Sequence, residues 1–297
     1  MSGNLSVLVN VFFILATLIM FGVWLMDRLY WKQYQDIEYE KDSFIQISYD
    51  LLPVLLFVAI FRTYIVEPFS IPSESMEPIL KKGDFILVNK VSYGLKYPFT
   101  NTNMFRTGEP VKGDVAVFKY PLQQNVYFVK RIIGGPGDVL IWKDNDFFIN
   151  GKKIQTEVAT GPNIPFNNAI RGERFEWETI NGNKHLTRFL QQTNYDSYDG
   201  SPYLETATQK ALAAKKYNRF QLESPDLFRY YEVKVPKDYY FVMGDNRDQS
   251  LDSRAWGLVN RDAFVGRVYY LALHSDPKTP IWKFWDKFTL ERSKSIN

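Results

Sequence analysis

Residues 5–26 carry no charged side chain, and only Ser6, Asn10 and Thr17 break the apolar run as polar groups. A helix rises about 1.5 Å per residue and a bilayer's hydrocarbon core is about 30 Å thick, so a run of this length spans it. A cleavable signal peptide is the competing reading. No Lys or Arg precedes the run, and it outlasts the usual apolar region of such a peptide. Residues 1–26 therefore read as a membrane anchor.

A second candidate follows. Residues 51–61 are uncharged, with Pro53 among them, and the stretch extends to 44–66 if Asp50 and Arg62 reach opposite interfaces. A buried core helix is the alternative for so short a run; the aromatic flanks and the preceding span favour a second crossing. The linking residues 27–43 contain Arg28, Lys32 and Lys41, whereas the N-terminal tail has no cation. Cations mark the cytoplasmic side, so everything after residue 66 is expected outside.

The remainder reads as mainly β. Pro68 and Pro72 end any helix and impose an extended exit. Residues 84–91, 114–120, 126–133, 139–142, 239–243 and 264–273 are rich in β-branched and aromatic side chains. Asn150-Gly151 signals a type I′ hairpin, with Ile154 on the returning strand, and Gly134-Gly135-Pro136-Gly137-Asp138 signals a turn. Between 155 and 233 strand alternation fades, and residues 205–216 suit a short helix. The expected organisation is N-terminal transmembrane helices (1–26 and 44–66, joined by 27–43), then a mainly β, β-rich domain (67–154 and 234–297) with an inserted, less regular cap subdomain (155–233). The aromatic and cationic tail at 281–288 fits either an interfacial segment or packing on the domain itself.

Composition narrows the chemistry. A formal charge of +3 without a basic block gives no footprint for nucleic acid. The absence of cysteine excludes a thiol nucleophile, a thiolate metal site and any disulfide. The chain's only histidines are His185 and His274. Ser75 lies a few residues beyond the second apolar segment, and Lys130 lies in the apolar stretch Tyr127-Phe128-Val129-Lys130-Arg131-Ile132-Ile133. A serine hydroxyl needs a neighbouring base, and a lysine can serve once desolvation has lowered its pKa from about 10.4. Most serines and lysines are plain surface residues, so these two alone decide nothing.

Three motifs in order decide more: Glu67-Pro68-Phe69 running into Ile71-Pro72-Ser73-Glu74-Ser75-Met76-Glu77-Pro78; Val129-Lys130-Arg131 running into Gly134-Gly135-Pro136-Gly137-Asp138; and Gly244-Asp245-Asn246-Arg247-Asp248-Gln249-Ser250-Leu251-Asp252-Ser253-Arg254. With the membrane segments, they make the chain resemble the bacterial type I signal peptidases, membrane-anchored serine–lysine endopeptidases, over nearly its whole length. The resemblance implies Ser75 as nucleophile and Lys130 as general base. It implies Ser73 and the Ser75 N–H as the oxyanion hole, Ser250 as the group orienting the lysine, and Asp252 with Arg254 as a supporting pair. It places Phe69, Ile71, Pro72, Leu80, Phe128 and Val129 at shallow apolar pockets for small substrate residues at −1 and −3, although Leu80 suits the core better. Glu74 departs from the glycine common in Gram-negative members, and the disulfide of some members is impossible here.

The implied partners are signal-peptide-bearing preproteins and the lipid bilayer, with no cofactor, no metal and no nucleic acid; the oligomeric state stays open. The implied location is the bacterial inner membrane, multi-pass, with the catalytic domain on the outer face. The ten residues from Ile65 to Ser75 reach about 35 Å at most, which keeps the nucleophile near the membrane where a signal peptide's small-x-small site emerges. Two other readings remain at this point: a self-cleaving serine–lysine repressor-type protease, and a non-catalytic membrane-tethered β-rich assembly factor.

Overall fold

A computed structural model describes residues 2–34, 43–97, 103–143, 146–161, 164, 173–190, 230–276, 279–280 and 283–296. Two long helices open the chain, α1 (Ser2–Met26) and α2 (Ser43–Tyr64). Residues 11–31 and 43–64 are each long and apolar enough to cross a membrane. Pro53 lies inside α2 without ending it, as neighbouring groups permit in apolar surroundings. The two helices lie side by side. Asp27, at the end of α1, accepts from Tyr49 Oη of α2 at 3.1 Å and from Gln33 N at 2.9 Å, and Tyr34 stacks on Tyr49 at 3.8 Å.

Strands follow at once: β1 (Val66–Ser70), β2 (Asp84–Asn89), the small pair β3 (Leu95–Lys96) and β4 (Asn103–Phe105), then β5 (Val115–Tyr120) and β6 (Gln123–Gly134). Next come β7 (Val139–Lys143), β8 (Asp146–Ile149), β9 (Lys152–Lys153), β10 (Gln155–Val158), β11 (Glu173–Ile180) and β12 (Asn183–Leu190). The chain closes with β13 (Tyr230–Lys234), β14 (Tyr239–Met243), β15 (Val259–Asn260), β16 (Phe264–Ser275), β17 (Phe288–Thr289) and β18 (Lys294–Ser295). The main sheet runs β1-β2-β16-β5-β6-β14-β15, with β17 and β18 also on β16; β13-β7-β8-β9 and β10-β11-β12 form separate sheets.

Pro68 is tolerated because β1 is an edge strand, where a missing N–H costs no ladder bond on the open side. On β5 both faces are buried. Val115 and Val117 enter one apolar cluster with Phe69, Met76, Leu80 and Ile86, and Ala116 and Phe118 enter another with Ile132, Val242 and Trp256. A strand covered on both sides reads as an apolar run, here Val115-Ala116-Val117-Phe118, which the half-buried Lys119 interrupts. The sheet curls until β1 faces β6, bringing the Phe69 and Tyr127 rings to 5.6 Å. Asn150 and Gly151 have φ of 52° and 74°, the left-handed pair a type I′ hairpin needs, and Ile154 N donates back to Phe147 O at 2.8 Å.

The inserted region contains regular structure that pattern reading missed. β11 and β12 pair in register from Glu173↔Leu190 to Ile180↔Asn183, and β10 adds to β11. The expected helix at 205–216 and residues Ile281 and Trp282 of the tail lie outside the described residues.

Candidate active site

Ser75 sits in a turn that leaves β1 and re-enters the sheet at β2. Ile71 N donates to Asp84 O at 2.8 Å and Gly83 N to Ile71 O at 2.9 Å, so both ends of the excursion are held by ladder-like bonds. Met76 and Leu80, 1% and 0% exposed, drive its far side into the core. Burying side chains of that size stabilises by roughly 1.5–3 kcal/mol each, enough to hold a short non-regular turn. Leu80 is therefore a correction to the expected pockets: it packs with Ile86 and Val88 and does not line the cleft beside Ser75. One turn separates it from Ser75, and that turn points it inward.

Lys130 comes from β6, opposite Ala116 of β5. Opposed residues of an antiparallel pair share a face, so the small alanine leaves room for the long lysine chain. Lys130 stands where β6 changes from half-buried to buried, with the Phe128 ring 5.7 Å from its nitrogen. Its Nζ donates to Ser75 Oγ at 2.5 Å. Burial pushes the Lys130 ammonium down from 10.5 to about 8; the Asp252 charge opposes that fall, the Arg254 charge adds to it, and Asp245 opposes it.

Asp252 is fully buried, and Arg254 occupies both its carboxylate oxygens, Nε to Oδ1 at 2.9 Å and Nη2 to Oδ2 at 2.8 Å. Burial raises the Asp252 carboxyl, but the Arg254 charge, its hydrogen bonds and the Gly244 N–H outweigh it and leave the group below its usual value. An unpaired carboxylate beside Lys130 would hold the amine protonated; the guanidinium offsets that pull.

The loop after β14 closes over the back of the turn. Asn246 N donates to Ser75 O at 3.2 Å and Asn246 Nδ2 to Glu74 O at 3.1 Å. Gly244 is required by close approach: a Cβ there would collide with Ser250 Oγ and with the Ser75 carbonyl oxygen. Ser73 Oγ lies 3.4 Å from Ser75 Oγ. Ser250 Oγ is buried at the same place but has no hydrogen-bond partner among the described residues, so the expected bond from it to Lys130 is not formed in this structure. Glu74 is exposed.

A cleft of about 460 Å³ opens in front of Ser75 and Lys130. Phe69, Ile71, Pro72, Phe128 and Val129 line it, together with Tyr127, Gln249 and Leu251, which sequence reasoning did not name as pocket residues. Phe69 and Ile71 are almost fully buried, which makes the apolar floor shallow and firm.

A serine hydroxyl within hydrogen-bond reach of a buried lysine on a β frame, facing an apolar cleft and preceded by two membrane-length helices, fits a serine hydrolase. Residues 44–272 match the family model described as signal peptidase, peptidase S26, and the chain belongs to that family and is a serine endopeptidase. Signal peptidase I of Buchnera aphidicola subsp. Baizongia pistaciae is 35% identical over 264 residues, covering 83% of this chain and 82% of that protein. Signal peptidase I of Pseudomonas fluorescens is 34% identical over 244 residues, covering 78% and 71%. A solved signal peptidase I from Enterococcus faecalis V583 matches with 20% identity and a TM-score of 0.27, covering 54% of this chain and 97% of that one. Family membership removes the repressor-type and non-catalytic readings.

Proposed function

We propose that this chain removes N-terminal signal peptides from secreted and membrane preproteins after a small-x-small site, with Ser75 as nucleophile and Lys130 as general base. The observation that carries this is the buried Lys130 nitrogen at 2.5 Å from Ser75 Oγ. Neutral Lys130 takes the Ser75 proton as Oγ attacks the scissile carbonyl carbon. Ser73 Oγ–H and Ser75 N–H hold the oxyanion, a contribution typically worth a few kcal/mol. The Lys130 ammonium returns the proton to the leaving amine, the mature protein departs, and the signal peptide stays as an ester on Ser75. A water deprotonated by Lys130 then hydrolyses that ester. Ser250, whose buried hydroxyl has no partner among the described residues, turns to the amine and orients it during the cycle, and Arg254 keeps Asp252 from holding it protonated.

Phe69, Ile71, Pro72, Phe128 and Val129 form the pockets for the −1 and −3 residues. Both apolar helices cross the membrane, with residues 27–43 cytoplasmic and the β domain on the outer face of the inner membrane, against the lipid surface. Purified protein in detergent should cleave a preprotein with Ala at −1 and −3, read by the mass of the products. Replacing the −1 Ala with Leu should cut kcat/KM at least tenfold, because a shallow pocket has no room for three more carbons. Equal cleavage of both substrates would overturn the pocket assignment.

The pH profile tests the base. With the folded pKa near 8, kcat/KM should rise through about pH 8 and level off above it. Arg254→Gln should move that midpoint upward, since Asp252 then favours the ammonium unopposed. A rate flat from pH 6 to 10 would exclude a lysine base.

A further inference from the structure

Behind the Ser75 turn, two stretches far apart in sequence meet. Arg188 of β12 is buried, and its guanidinium forks between two carboxylates: Nη1 donates to Glu77 Oε2 at 2.6 Å and Nη2 to Glu173 Oε1 at 2.6 Å. Glu77 lies two residues past Ser75, and its N–H closes the turn on Glu74 O at 3.0 Å. Glu173 begins β11. The Arg188 N–H donates to Asp245 O at 2.9 Å, and Arg188 forms a parallel bridge with Asn246, the residue that holds the Ser75 and Glu74 carbonyls. A second tie lies alongside, where Arg247 of the same loop grips Glu178 of β11 through both its terminal nitrogens, Nη1 and Nη2.

A hairpin that only covered the core would not require a buried arginine aimed at the turn. Desolvating a guanidinium is costly unless its donors are met, and a forked pair adds geometric definition to its attraction. That definition falls on the one segment whose position sets the attack distance. We propose that the β11–β12 hairpin of the inserted region braces the nucleophile, with Arg188 as the positioning residue that holds the Ser75 turn through Glu77. The proposal rests on Ser75 being the nucleophile.

The test uses full-length protein in detergent, with kcat, KM, pH profile and thermal unfolding measured for Arg188→Gln, Arg188→Lys, Glu77→Gln and the Arg188→Gln/Glu77→Gln double variant. A displacement of about 1 Å can cost on the order of 100-fold in rate. Arg188→Gln and Glu77→Gln are each expected to lower kcat by about 10- to 100-fold, with KM within about twofold and the alkaline midpoint unmoved. The double variant should be no slower than the worse single, because both changes cut one link. Arg188→Lys, which keeps the charge on a stem one bond shorter but cannot fork between Glu77 and Glu173, should recover part of the rate. Should Arg188→Gln fail to fold, Glu77→Gln carries the test, since it leaves Arg188 paired with Glu173. Wild-type kcat in Glu77→Gln, or additive losses in the double variant, would overturn the brace. Ser75→Ala assayed in parallel separates the two ideas: cleavage surviving in it overturns the nucleophile assignment, whereas its inactivity beside an unimpaired Glu77→Gln overturns the brace alone.

Discussion

Lys130→Met is expected to lower kcat/KM by at least about 10³-fold at every pH, and Ser75→Ala by about 10⁴-fold or more. Methionine fills nearly the volume of the lysine stem but can neither take nor return a proton, so the loss isolates the base. Stability supplies the control. Between about pH 8 and 10.5 the unfolded chain binds a proton at this amine that the native chain does not, so the unaltered protein gains stability as pH rises through that window. Below pH 8 the native state carries a buried ammonium, and a pKa lowered from 10.5 to about 8 corresponds to about 3 kcal/mol at about 1.36 kcal/mol per tenfold. Methionine removes that cost. At pH 7 the Lys130→Met protein should therefore unfold at higher denaturant than the unaltered one while being inactive. Near-normal activity in Lys130→Met or in Ser75→Ala would end the dyad assignment; inactivity accompanied by a large fall in stability would point to misfolding.

Much of this was legible before any coordinates. The apolar helices, the strand run and the Asn150-Gly151 turn are local signals, and residue type at short spacing suffices to read them. The apolar neighbours of Lys130 marked its environment, and the motif order marked Ser75. What stayed hidden depends on long-range contact. β11 was obscured because one of its buried positions is Glu178, which breaks apolar alternation. Its hairpin was nonetheless announced by Asn181-Gly182, both at positive φ, the same signal that was used at 150–151. Leu80 could line a pocket or fill a core on sequence grounds, and only the direction of the Ser75 turn decides. Arg188 and Glu77 are separated by 111 residues, and no spacing rule links them. Ser250 was placed at the site by its motif, yet its hydroxyl has no partner among the described residues, so position was legible and bonding was not.

Arg131, next in sequence to the proposed base, is expected to be the costliest single charge to remove. It is fully buried and faces the opposite side of β6 from Lys130. Nε donates to Asp245 Oδ1 at 2.9 Å, Nη2 to Asp245 Oδ2 at 2.8 Å, and Nη1 to Gly113 O at 2.6 Å. Asp245 is itself 1% exposed and opens the loop whose next residue, Asn246, clamps the Ser75 turn. Arg131→Met deletes the counter-charge and leaves that carboxylate stranded in the interior. Breaking one side of a buried pair costs about 3–5 kcal/mol, whereas replacing both sides with apolar groups is often close to neutral. The denaturant midpoint of Arg131→Met should fall accordingly with little change in slope. Arg131→Met/Asp245→Leu should regain most of the lost stability, because no orphaned charge remains. It should not regain full activity, because leucine cannot keep the polar loop in register behind Ser75. Equal destabilisation in the single and double variants would mean that Arg131 acts chiefly through the Gly113 carbonyl and its packing, and that the Asp245 pair contributes little to holding β6 against the loop.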